Sequence, residues 1–104
     1  MDEQPAFSEP WWDLRQGGSV EREQREGLRA ELLTEVTDDH PLHGQPIVVV
    51  ARSEASDHIV VHLPPTRWAR VHLTWKRGAE TPPWPLTEFY DTVEDLERGL
   101  TESD

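Results

Sequence analysis

The chain has no cysteine. Disulfides, cysteine-based zinc sites and thiol nucleophiles are therefore excluded, and a small domain without such staples fits a reducing compartment. Positive charge is also scarce: ten Lys and Arg stand against 21 Asp and Glu, a formal net charge of −11. A surface of that sign repels phosphate, so direct binding to nucleic acid or to an anionic membrane is not expected, and a charged partner would be basic. The same acidity also serves solubility. No apolar run is long enough to span a bilayer, and the opening MDEQPAFSEP lacks the apolar stretch of a signal peptide. A cytoplasmic location is the expectation. Catalytic signatures are missing as well. There is no G-x-S-x-G, no Gly-rich phosphate loop and no H-E-x-x-H, and the five serines, Ser8, Ser19, Ser53, Ser56 and Ser103, fall in caps, turns or tails. The chain is not expected to be an enzyme, to use catalytic residues or to hold a cofactor.

What is present suffices for one small domain. The 104 residues leave no room for a second core. Five Trp and several Val/Leu runs argue for a folded chain despite the high charge. Residues 1–18 read as an N-terminal arm, partly flexible, with a helical turn or two over 9–16 that stops at Gly17-Gly18. Adjacent Trp11 and Trp12 cannot both face one flat surface from a helix, so the arm lies in a groove or leaves one of them partly exposed.

Residues 19–37 predict a helix, with Val20, Leu28, Leu32 and Val36 at multiples of four and Leu33 beside them; its charges read as a solvated face. The stretch DDHPLHG ends it at Pro41 and Gly44. Three strands are expected at 46–52, 58–63 and 68–75, joined by connections too short for parallel crossovers. The stripe Phe89, Val93, Leu96, Leu100 predicts a second helix over 87–100, capped by Thr87 or Thr92, and 101–104 are expected to fray. The fold class is thus α+β in the order α-β-β-β-α: a three-stranded antiparallel meander with two helices on one face, preceded by the arm.

Alternation assigns the sheet faces. Ile47, Val49, Ala51, Ile59, Val61, Leu63, Ala69, Val71, Leu73 and Trp75 form the face the helices should cover, with Val61 opposite Val71 or Leu73. The expected core adds Leu28, Leu32, Val36, Phe89, Val93 and Leu96. The other face mixes Val48, Val50, Arg52, His58, Val60, His62, Trp68, Arg70, His72 and Thr74. There His62, Trp68, Arg70 and His72 form the candidate partner-binding patch, an aromatic anchor among donors. An ordinary solvated sheet face is the other reading of the same residues.

Five His raise the question of metal. His40 and His43 flank Pro41 in a turn, and His58 and His62 sit about 13 Å apart along a strand. His62 and His72 approach each other in one register of the hairpin, but two ligands without a third do not make a site. No metal is expected. The stretch PPWP, residues 82–85, has the PxxP spacing of a polyproline ligand. It reads more simply as a stiff return loop that packs Trp84 over the sheet edge near Trp75.

The pattern HPLHG…VHLTW…ETPPWPLTEFYDTVEDL resembles a family of small bacterial proteins of unknown function, with HPL-x-G, a hairpin, V-x-L-T-W and a Pro/Trp loop leading to a terminal helix. The resemblance runs from His40 to about Leu96 and leaves the arm outside. It implies a compact domain of this layout without an attached cofactor, and no catalytic or binding residues. The leading functional expectation is a non-enzymatic interaction protein, such as an inhibitor or immunity-type partner of a basic protein. A homodimer through the Val48/Val50/Trp68 face is the alternative, and a hydrolase or metal enzyme built on the histidines the third.

Overall fold

The computed structural model describes residues 4–103. The parts of the expected arm and tail at 1–3 and 104 lie outside them. The elements run β1 (Trp11–Asp13), α1 (Ser19–Glu35), β2 (Val48–Ser53), β3 (His58–Leu63), β4 (Arg67–His72), β5 (Leu86–Tyr90) and α2 (Val93–Ser103). The class is α+β and the sheet is antiparallel, but it has five strands in the order β1-β2-β3-β4-β5 rather than three. Each edge gains a strand the sequence reading missed. The arm's expected helical turn is instead β1, which pairs Trp11 with Ser53 and Asp13 with Ala51. A strand sends adjacent side chains to opposite faces, and this resolves the Trp11-Trp12 pair: Trp11 is buried in one apolar cluster and Trp12 packs against the other.

The second added strand is β5. Its residues 87–90 were expected to open the last helix. Instead they pair with β4, Phe89 opposite Ala69. The helix starts only at Val93, where Thr92 caps it: Asp95 N–H donates to Thr92 Oγ1 at 3.0 Å. The tail, expected to fray, remains helical through Ser103.

The helices pack on opposite faces, not on one. α1 sets Leu28 and Leu32 against Val49, Ile59, Val61, Val71 and Leu73. α2 sets Val93, Leu96 and Leu100 against Val50, Val60 and Trp68. With α1 already on the first face, the second face held the remaining uncovered apolar row, and burying it removes apolar area from water on both sides of the sheet.

Two register details follow from local irregularities. The β3–β4 hairpin pairs Leu63 with Arg67 across a three-residue loop, so Val61 meets Ala69 and Ile59 meets Val71. The expected pairing of Val61 with Val71 or Leu73 is thus displaced. A β-bulge between Val49 and Ala51 places both Val50 and Ala51 against Val60. Beyond it the faces exchange. Ala51 joins the α2 side, and Arg52 turns to α1, where it donates to Gln24 Oε1 at 2.6 Å. Of the expected core, Trp75 is the clear exception, at 40 % exposed. Leu42, Leu14 and Trp11 take buried places that periodicity did not assign.

Candidate interaction surface

The stripe of α1 that faces the sheet is not wholly apolar. Leu28, Glu31, Leu32 and Glu35 fall at i, i+3, i+4 and i+7, so two carboxylates share the buried side with two leucines. Glu35 is fully buried and Glu31 nearly so. No cation is bonded to either carboxylate among the described residues. Their partners are backbone N–H groups of the segment that leaves β4. Thr74 N–H donates to Glu35 Oε1 at 3.0 Å, Trp75 N–H to Glu35 Oε2 at 3.0 Å, and Arg77 N–H to Glu31 Oε2 at 3.1 Å. Trp75 and Arg77 take left-handed conformations, φ 58° and 60°. Alternating backbone of this kind turns successive N–H groups inward, and here they enclose carboxylates of the same chain. The left-handed conformation costs roughly 1–2 kcal/mol per non-glycine residue. The hydrogen bonds to these carboxyl groups, on the order of 1 kcal/mol each, offset part of that cost.

The carboxyl pair carries its own electrostatic signature. Burial is the largest cause that raises Glu35, joined by a hydrogen bond from its carboxyl to that of Glu31; together they push its pKa up to about 7. Glu35 therefore keeps its proton until near neutral pH.

The far end of the segment is fixed too. Glu80 N–H donates to the Glu35 carbonyl at 3.0 Å. His40, buried in the turn after α1, accepts the Leu42 N–H at Nδ1 and reaches the Pro85 carbonyl through Nε2 at 2.8 Å. That pattern defines a tautomer with the proton on Nε2. His40 is thus a clasp between the HPLH turn and the PPWP stretch. Glu31, Glu35 and His40 all hold one object, the connection between β4 and β5.

That connection displays large apolar side chains. Trp75 and Trp84 are 40 % and 42 % exposed, and Leu86 at the start of β5 is exposed as well. At its foot the rings of His58 and His72 lie 4.6 Å apart, and His72 meets Trp84 edge-on at 6.3 Å. Ser56 Oγ lies 2.9 Å from His58 Nδ1. A cleft of about 230 Å³ opens there, lined by His58, Arg70, His72, Leu86, Thr87 and Glu88.

The four residues of the expected patch are divided by this arrangement. Arg70 and His72 line the cleft, with Arg70 buried and bonded to Glu88 Oε1 at 2.8 Å. Trp68 is buried in the cluster that α2 covers. His62 stacks on its ring at 4.3 Å, at the other end of the strands. His62 pairs with Trp68 and His58 with His72, so the approach of His62 to His72 does not occur. The apolar area that a dimer through the second face would use, Val50 and Trp68, lies beneath α2, while Val48 stays exposed. Among the described residues no three His, Asp or Glu side chains converge as a metal site requires. The sequence reading missed Glu31, Glu35 and His40. Their signal was two carboxylates standing in the apolar stripe of a helix.

No protein-family model, curated protein or solved structure matches this chain. No helix among the described residues is long and apolar enough to cross a membrane.

Proposed function

We propose that this protein is a non-enzymatic interaction module whose contact surface is the β4–β5 connection, with Trp75, Trp84 and Leu86 as anchors and the His72/Arg70 cleft at its foot. The observation that carries the reading is the fixing of that exposed aromatic segment from beneath by buried Glu31, Glu35 and His40. Long connections without secondary structure in small domains usually serve binding. Exposed Trp is the side chain most enriched among residues that dominate binding energy. Holding such residues in place before contact reduces the ordering cost of association. The net charge of −11 makes a basic protein the fitting partner class, of the sort an inhibitor or immunity protein neutralises.

The test compares affinity capture by three immobilised proteins: wild type, Trp75→Ala/Trp84→Ala, and the control Val20→Ala/Leu33→Ala, which removes exposed apolar groups of α1. A partner held by wild type and control, lost by the tryptophan variant and weakened by salt is the expected result. Equal retention by all three would remove the loop from the interface, and retention indifferent to salt would remove the basic partner.

A further inference from the structure

The sheet ends on β5, which meets β4 and α2 and no other element among the described residues. The register tells which of its main-chain groups face outward. Leu73 N–H donates to the Asp57 carbonyl at 3.0 Å, one step beyond the pair His58–His72. Bonding alternates along an antiparallel strand, so Ala69, Val71 and Leu73 turn their N–H and C=O groups to β3, and Trp68, Arg70 and His72 turn theirs to β5. Their partners there are Tyr90, Glu88 and Leu86. Thr87 and Phe89 therefore direct their main-chain groups away from the sheet, and no main-chain partner meets them among the described residues.

Edges of this kind are normally blunted by lysine, proline, a bulge or a very short strand. β5 contains no lysine or proline and pairs with β4 over all five residues without a register shift. The opposite edge, β1, is only three residues long. Exposed Trp84 and Leu86 stand at the start of β5.

The side chains along the edge select its occupant. Leu86, Glu88 and Tyr90 lie on the α2 side, Thr87 and Phe89 on the α1 side. The pair Arg70–Glu88 presents its carboxylate to solvent: the arginine side chain is 9 % exposed and the glutamate 62 %. A groove of about 510 Å³ continues from Glu88 and Tyr90 to Asp95, Arg98 and Gly99 of α2, with Arg98 bonded to Glu94 and Asp95. A second copy of the chain fits this edge poorly. Antiparallel pairing of β5 with itself over all five residues opposes Glu88 to Glu88 and joins two chains of net charge −11.

We infer that β5 receives an extended basic segment of a partner protein as a sixth strand. Its main chain bonds to Thr87 and Phe89, a lysine or arginine stands beside Glu88, and apolar residues stand beside Thr87 and Phe89. The inference rests on reading the protein as an interaction module and names how the partner engages next to Trp84.

The experiment follows amide hydrogen exchange of the full chain by NMR, with the peptide acetyl-Val-Lys-Val-Lys-Val-Lys-amide as the probe. The Thr87 and Phe89 amides are expected to become protected saturably, while those of Leu86 and Glu88, already paired with β4, change little. Thr87→Pro removes an outward N–H and no bond to β4, and should weaken binding at least about tenfold. Glu88→Gln should weaken it about two- to fivefold, the range of an exposed ion pair. N-methylation of the peptide's Val amides and of its Lys amides should differ: the set that faces β5 abolishes binding and the other set is tolerated. That contrast needs no variant of the protein, so it decides even if Thr87→Pro fails to fold. Absence of protection at millimolar peptide, or equal protection by a peptide with Glu in place of Lys, would overturn the proposal. So would protection that rises with protein concentration alone, which would seat a second copy on the edge. Partner capture that needs Trp75 and Trp84 but is unchanged in Thr87→Pro would remove strand addition and keep the aromatic surface. Peptide protection of Thr87 and Phe89 with capture indifferent to the tryptophans would keep strand addition and remove the aromatic surface.

Discussion

Ionising Glu35 places a negative charge beside Glu31 in a buried space where, among the described residues, backbone N–H groups and no cations are bonded to the two carboxyl groups. The sign of the pH dependence follows. The unfolded chain releases this proton near the ordinary carboxylate value of 4.5, whereas the folded protein holds it to about 7. Stability from this group is therefore largest below the ordinary value and is lost as pH rises through 7. Glu80 and Lys76 form an ion pair at 3.4 Å within the same segment. Asp13 acts in the opposite direction. The hydrogen bond from Arg15 holds its carboxyl below the usual range, and its contribution is lost as pH falls. Glu35→Gln keeps the acceptor for Thr74 and supplies an amide donor toward Glu31. In urea melts it should flatten the loss of stability between about pH 5 and about pH 8.5, and at the upper value it should equal or exceed wild type. An unchanged slope would show that another group titrates there. Glu35→Ala leaves buried N–H groups without partners and should cost about 1–3 kcal/mol per orphaned group at any pH.

At the scale of elements, the two helices are independent clients of one sheet. Leu32 and Leu96 are both fully buried but belong to separate clusters on opposite faces. Each replaced by Ala should cost about 2–5 kcal/mol, and the double variant should equal the sum within about 0.5 kcal/mol. Marked coupling in denaturant melts would point to a shared core. Leu73→Ala belongs to the α1 side, where Leu73 is buried, and should cost more than about 2 kcal/mol. The helical glycines give a test of sign. At Gly27 of α1 nothing lies within 4 Å of an added Cβ, so Gly27→Ala should stabilise by about 0.5–1 kcal/mol through helix propensity. At Gly99 of α2 the same Cβ would meet Tyr90 Oη at 2.5 Å and its ring at 2.7 Å. Gly99→Ala should therefore destabilise in thermal melts, because a rigid aromatic ring packed on the helix cannot yield cheaply.

The whole molecule is a small chain with a large excess of one charge. A net charge of −11 on 104 residues repels itself in the compact state. Added salt should raise the melting temperature up to roughly physiological ionic strength, where the screening length falls to about 8 Å. A melting temperature that falls with salt would mean that the ion pairs outweigh the repulsion. Such pairs as Arg98 with Glu94 and Arg67 with Asp91 are largely exposed, which is why repulsion is expected to dominate. On the proposed function, the same excess would steer a basic partner toward the protein, and the Trp75/Trp84 segment would anchor it.

The composition and periodicity of the chain by themselves determined a cysteine-free α+β fold, a first helix with Leu28 and Leu32 inward, read over 19–37 and ending at Glu35, and the central strands β2 to β4 in outline. These properties are local: a period of 3.6 or 2 and the turn residues between runs are enough to specify them. Four things waited for the tertiary structure. The bulge at Val50 exchanged the faces of Ala51 and Arg52, since one extra residue reverses alternation. The strand at Leu86–Tyr90 won over a helical stripe because β4 offered an unpaired edge to residues 86–90. α2 went to the second face because α1 already occupied the first, a competition no local pattern records. Trp75 turned outward because buried Glu35, 40 residues away in sequence, captured its N–H and held it in a left-handed conformation. Each of these depends on which distant segment is already in place when a local preference is divided, and that is information about the folded chain as a whole.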